Sequence, residues 1–218
     1  MNTLFVIIEY IGIISFTVSG AMVSIRKEAD LFGVVLLSVM TAFFGGIVRD
    51  LCLGITPPGF FVKSGIKVFV SICTALLVFA LAAIFKKGFV KNEEKVNALN
   101  NIFDAAGLGI FAVLGVQMTV DAGQNSAFIA IVLGLLSGIG GGMFRDIALG
   151  TIPFVIKKRV YAVACICGAA VYYFLSAVLD VRVFWSMLLG VLVTFTMRMC
   201  ATIFKWNMPK AIRFSDFE

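Results

Sequence analysis

Two stretches of this chain place glycines and an Arg-Asp pair inside segments that are otherwise apolar. Gly45-Gly46-Ile47-Val48-Arg49-Asp50-Leu51-Cys52-Leu53-Gly54, followed by Pro57, returns as Gly141-Gly142-Met143-Phe144-Arg145-Asp146-Ile147-Ala148-Leu149-Gly150, followed by Pro153. At a shift of 96 residues, seven of the thirteen positions from Gly45 to Pro57 are identical. Adjacent glycines cost a helix about 1 kcal/mol each relative to alanine. They predict a kink or an unwound turn at Gly45-Gly46 and at Gly140-Gly141-Gly142. Carbonyls freed at such a break can replace part of a cation's hydration shell, and the carbonyl end of the preceding half-helix favours positive charge. Close helix packing is the competing use of glycine, and the four-residue spacing of Gly134, Gly138 and Gly142 suits it.

Arg49 and Asp50 lie one turn beyond the first glycines, and Arg145 and Asp146 one turn beyond the second. Charges this far into an apolar span face a bundle interior or water, and they pair. Neighbours on a helix do not face each other. The expected partners therefore lie across the repeats, Arg49 with Asp146 and Arg145 with Asp50. Such pairs serve either as a charged lining of a pathway or as a lock between the two copies.

Glu9 and Asp104 hold equivalent places near the starts of two spans, where they either ring a mouth and concentrate cations or sit hydrated at the interface. Lys63 and Lys67 follow Pro57-Pro58 on the poorly basic side and are candidates for gating or selectivity. Ser15, Thr17 and Ser19 suit hydrogen bonds between helices.

The elements that must position these groups follow from composition. The chain of 218 residues is 61% hydrophobic and 14% charged, with a mean hydropathy of +1.07, too apolar for a soluble domain. A helix needs about 20 mostly apolar residues to cross the hydrocarbon. Seven such segments are present, at 4–23, 31–53, 66–85, 102–120, 127–149, 160–179 and 183–204. No strand alternation is visible, so the expected class is an all-α polytopic membrane protein.

The repeat extends beyond the motif. At a shift of 95, Glu9, Gly12, Phe16, Val18 and Gly20 match Asp104, Gly107, Phe111, Val113 and Gly115. Residues 1–85 and 102–179 are thus two three-helix copies, joined by a polar cytoplasmic linker at 86–101. A seventh transmembrane helix at 180–204 and a tail at 205–218 complete a 3+3+1 layout. Three spans per copy is odd, so the second copy enters the membrane inverted, an arrangement recurrent in transporters.

Thirteen basic residues, among them Arg26, Lys86, Lys87, Lys157 and Lys158, fall on one side, against Lys63, Lys67 and Arg182 on the other. That bias predicts an N-terminus outside and a C-terminus in the cytoplasm. The net charge of +6 then marks an inner-leaflet surface facing membrane lipids, not a nucleic-acid footprint. Trp185 and Trp206 read as interface anchors.

The first span does not read as a cleaved signal, because it carries Glu9 and has no Lys or Arg before it. Histidine is absent, the five cysteines are scattered, and no cluster has metal spacing. With no nucleotide-binding loop or nucleophile–base pair either, the chain is not expected to be an enzyme or to hold a cofactor.

Taken together, the doubled Gly-Gly-x-x-Arg-Asp motif, the acidic openings at Glu9–Gly20 and Asp104–Gly115 and the 3+3+1 layout resemble the TRIC (trimeric intracellular cation channel) family in its bacterial members. The resemblance covers nearly the whole chain. It implies a homotrimer in the inner membrane, with a cation pore in each subunit and potassium as the permeating ion. It also implies that the second and fifth helices line the pore at Gly45, Gly46, Gly140, Gly141 and Gly142, with Arg49, Asp50, Arg145 and Asp146 nearby. Phe44 stands where a third glycine is common and Glu9 where Asp is usual; Phe44 is then expected to narrow or plug the constriction. The same family is linked to glycine uptake, for which Arg49 or Arg145 would bind the amino acid's carboxylate.

Overall fold

Lipid offers backbone groups no hydrogen-bond partner, so apolar segments of this length satisfy their own by forming helices. The computed structural model describes residues 3–59, 62, 64–157 and 160–206. Its long helices are α1 (Thr3–Arg26), α2 (Leu31–Cys52), α3 (Gly65–Ile84), α4 (Glu93–Asp121), α5 (Ala127–Ala148), α6 (Val160–Val178) and α7 (Val183–Ile203). These seven are each long and apolar enough to cross a membrane. A short helix, Lys86–Lys91, precedes α4, so much of the stretch expected as a polar linker is helical.

α4 is the central helix. It packs on α1, α5, α6 and α7, and 72% of its apolar window is buried, against 11% for α3. α3 therefore presents most of its surface outward.

The packing partners of the glycines establish that the two copies are inverted. Gly12 of α1 lies against Ile110 and Phe111 of α4, and Gly107 lies against Phe16. Phe16 and Phe111 stack with centroids 5.2 Å apart. Numbers rise along α1 as they fall along α4, so these equivalent helices run antiparallel. α2 and α5 do the same, with Gly45 against Ser137 and Gly141 against Thr41.

Each motif also ends its helix. Gly54 at φ +70° and Gly150 at φ +66° take the left-handed conformation that closes a helix C-terminus. The next residues donate back: Ile55 N–H to the Asp50 carbonyl and Thr151 N–H to the Asp146 carbonyl, both at 2.9 Å. The Gly shared by the motifs is thus explained by turn geometry.

Candidate functional site

The two motifs build two charged clusters on either side of a helix crossing. At the crossing, α2 and α5 touch backbone to backbone. A Cβ on Gly45 would overlap the Ser137 carbonyl oxygen, one on Gly141 would overlap the Thr41 carbonyl oxygen, and one on Gly140 would come within 2.8 Å of the Gly45 Cα. Both helices stay α-helical through their glycines. The unwound turn expected there does not form, because neighbouring backbone takes the place of the missing side chains and supports the turns. Gly134 and Gly138 pack as their spacing predicts, against Val116 and Ala112 and against Cys165 and Leu108. Gly46 and Gly142 behave differently. A Cβ on Gly46 would meet Arg49 Nη2 at 3.6 Å, and one on Gly142 the Tyr161 hydroxyl at 3.5 Å and Arg145 Nη2 at 3.8 Å, all ordinary contacts, so these two glycines leave room rather than fill it.

The Arg-Asp pairs close within each motif, not across the repeats. Arg49 donates from Nη2 to Asp50 Oδ1 at 2.6 Å and from Nε at 3.0 Å. Arg145 Nη2 lies 2.8 Å from Asp146 Oδ1, and its Nε donates to the same oxygen at 2.9 Å. The long arginine side chain folds back over a distance that the angle between Cβ vectors does not cover. Each aspartate's second oxygen then catches the returning chain, Asp50 Oδ2 from Gly59 N–H at 2.9 Å and Asp146 Oδ2 from Phe154 N–H at 2.8 Å.

The first cluster opens onto a cavity of about 510 Å³ lined by residues of α1, α2 and α4 and by Gly59, Ser64 and Lys67. Glu9, Phe43, Gly46, Arg49, Asp50, Gly59, Lys67 and Asp121 all face it. Lys67 Nζ donates to Glu9 Oε1 at 2.6 Å, tying α3 to α1 at the cavity wall. The pair keeps partial access to solvent, with side chains 16% and 24% exposed. Partly exposed pairs contribute about 1 kcal/mol or less. Lys67→Met is therefore expected to leave a folded protein, with thermal stability in detergent close to that of the parent.

Asp104 does not mirror Glu9. It is 5% exposed and sits between two arginines, 3.7 Å from Arg145 Nη1 and 3.8 Å from Arg198 Nη2. The mouth or hydrated interface expected for it is replaced by a buried network. Ser19 completes that network, accepting from Arg145 Nη1 at 3.0 Å and donating to Asp104 Oδ1 at 3.4 Å. Thr17 meets Ser71 of α3 at 2.7 Å, so both hydroxyls join helices as expected. Glu9 and Ser19 are ten residues apart on α1, which separates the clusters by about 15 Å along the helix.

Phe44 does not line the cavity. It stacks on Phe144 of α5, with centroids 4.4 Å apart, beside the crossing of the two helices. Lys63 lies outside the described residues, as does the tail beyond Trp206. The His/Cys/Asp/Glu groupings of a metal site are absent among the described residues.

Arg198 is the residue that sequence reasoning missed. It stands more than one turn inside the C-terminal end of α7, where a lone charge in an apolar span is itself a signal. It is 3% exposed. Its guanidinium lies 4.6 Å from the Phe154 ring centroid and 4.9 Å from that of Tyr161.

Comparison with known proteins agrees with this architecture. The profile of a family described as Glycine transporter matches residues 6–83 and again 101–177. The UPF0126 inner membrane protein YadS of Escherichia coli K12 is 30% identical over 207 residues, 93% of each chain. A UPF0126 membrane protein of Vibrio cholerae is 32% identical over 95% of this chain and 83% of its own length. A prokaryotic TRIC channel crystallised in 0.5 M KCl superposes with a TM-score of 0.84 at 31% identity, covering 95% of this chain and all of that one. The TRIC orthologue from Rhodobacter sphaeroides gives 0.83 at 29% identity over 94% of this chain and 100% of its own.

Proposed function

The chain belongs to the glycine-transporter family and has the fold of the TRIC channels, and on that premise we propose that it is a passive channel for monovalent cations, potassium first, with one path in each subunit of a homotrimer. It works in the inner membrane with its N-terminus outside, so that the first cluster faces outward and the second inward. Membrane lipids and the permeating ions are its only small-molecule partners in this reading, and it retains no cofactor.

The observation that carries the proposal is the cavity over the first motif. Among the described residues, its wall holds three carboxylates, Glu9, Asp50 and Asp121, and two basic groups, Arg49 and Lys67. Carboxylate-rich openings with low-dielectric walls concentrate cations. The cavity reaches as deep as Gly46 and Phe43, beside the crossing of α2 and α5. Conduction then requires the two helices to part or slide at Gly45 and Gly141; the likeness to solved TRIC channel structures supports cation conduction itself.

Glycine transport is the second reading, and one observation favours it. Arg49 lines the cavity, and its Nη1 has no hydrogen-bond partner among the described residues. Such a donor suits a small carboxylate.

The cavity can be tested as the route of entry. Gly59 stands where the second copy has Phe154, since both donate the same backbone hydrogen bond to their aspartate. Gly59→Phe places a ring in the cavity without removing that bond. Potassium flux into liposomes carrying purified protein is expected to fall to near background. Unchanged flux with a correctly folded variant would remove this cavity from the path.

A further inference from the structure

The two halves share a backbone plan but not a filling. Where the first copy has Gly59, the second has Phe154, whose ring joins Tyr161 at 5.6 Å in an edge-on contact. Arg198 lies over both rings. The space that is a cavity beside the first motif is therefore occupied beside the second by two aromatic rings and a guanidinium. That guanidinium comes from α7, a helix outside both matched repeats.

We propose that Arg198 is the closure of the second half-path: a cationic plug, held by Asp104 and by the faces of Phe154 and Tyr161, whose withdrawal opens the inward side. This inference rests on the channel reading for its meaning but not for its geometry.

Three features distinguish a latch from a permanent strut. First, among the described residues Arg198 has one carboxylate contact, to Asp104, and it is long at 3.8 Å, whereas each motif arginine is anchored by its own aspartate at 2.6 or 2.8 Å, Arg145 in addition to its 3.7 Å contact with Asp104. Second, Arg198 Nε is buried with no hydrogen-bond partner among the described residues. An unpaired buried donor raises the energy of the state that contains it. Third, Nη1 donates to Thr202 Oγ1 at 2.6 Å, one turn along the same helix, so the side chain carries a partner with it if α7 shifts. Asp104 keeps Arg145 and Ser19 when Arg198 leaves, so the carboxylate is not orphaned by opening. A positive charge in the narrow part of a cation path also opposes cations directly.

The experiment uses the repeat symmetry. Cysteine is placed at Gly46 or at Gly142 in a chain whose five native cysteines are replaced. Both sites accept a Cβ in ordinary contact, and each points to its own half. A small thiol reagent is added to protein in liposomes, with Arg198 intact or changed to Met, and potassium flux is followed in parallel.

G46C is expected to label fast in both backgrounds. G142C is expected to label slowly with Arg198 and about tenfold faster with R198M, since R198M removes together the ion pair to Asp104 and the two cation–π contacts that hold the inward side shut. Flux should rise with it. Fast labelling of G142C beside an intact Arg198, or labelling unchanged in R198M, overturns the closure. If R198M does not fold, F154L tests the same seat, because it removes one stacking face and leaves every charge in place; unchanged labelling there also overturns it. A labelling switch without potassium flux in any variant supports the closure and counts against the channel reading.

Discussion

Gly141→Ala is expected to cost this protein most of its folded yield, while Gly142→Ala, one residue away, leaves it folded. The sequence presents these glycines as a pair. At Gly141 the new methyl would overlap the Thr41 carbonyl oxygen, and at Gly45 the Ser137 carbonyl oxygen. Overpacking in a tight interior costs about 1–3 kcal/mol even where side chains can move, and here the obstacle is backbone on a neighbouring helix. At Gly142 the nearest atom is the Tyr161 hydroxyl at 3.5 Å. There, alanine gains about 1 kcal/mol of helix propensity over glycine. Size-exclusion profiles of the four single variants, Gly45, Gly46, Gly141 and Gly142 to Ala, check the pattern. Equal damage at all four would mean that α2 and α5 do not meet as described.

The second large effect concerns the buried network around Asp104. Asp104→Asn removes one of two carboxylates facing two arginines, at a site where all the charged side chains are less than a tenth exposed. Removing one partner of a buried ion pair costs about 3–5 kcal/mol, mainly because it leaves an uncompensated charge. Adding Arg198→Met restores charge balance and is expected to recover part of the loss. Residues in one network couple by about 0.5–3 kcal/mol. Thermal unfolding in detergent of the parent, both single variants and the double variant measures that coupling. Strict additivity would show that Asp104 and Arg198 act independently.

Much of the architecture was legible because it repeats. The motif at a shift of 96 and the acidic opening at a shift of 95 made two three-helix copies visible, and an odd span count made inversion follow. The structure agrees in the antiparallel run of α1 against α4 and of α2 against α5.

The site was less legible, for three physical reasons. Whether Gly45 or Gly46 meets a neighbour depends on which way each faces at one crossing, and helical periodicity alone does not fix that face. The pairing of Arg49 with Asp50 depends on a flexible arginine folding back on its neighbour; an argument from Cβ directions sends it elsewhere. Glu9 and Asp104 are equivalent in the repeat but not in their surroundings. α3 brings Lys67 to the first, whereas α7, which has no counterpart in the first copy, brings Arg198 to the second. A charge supplied from outside the repeat is invisible to an argument built on the repeat.

The most direct test of the central claim is a paired flux measurement on purified protein in liposomes, with a potassium gradient and labelled glycine in the same preparation. A passive cation channel gives fast potassium movement that does not saturate with concentration and no glycine accumulation above empty liposomes. Saturable glycine uptake with potassium flux at background would contradict it, and would make Arg49 and its cavity an amino-acid binding site.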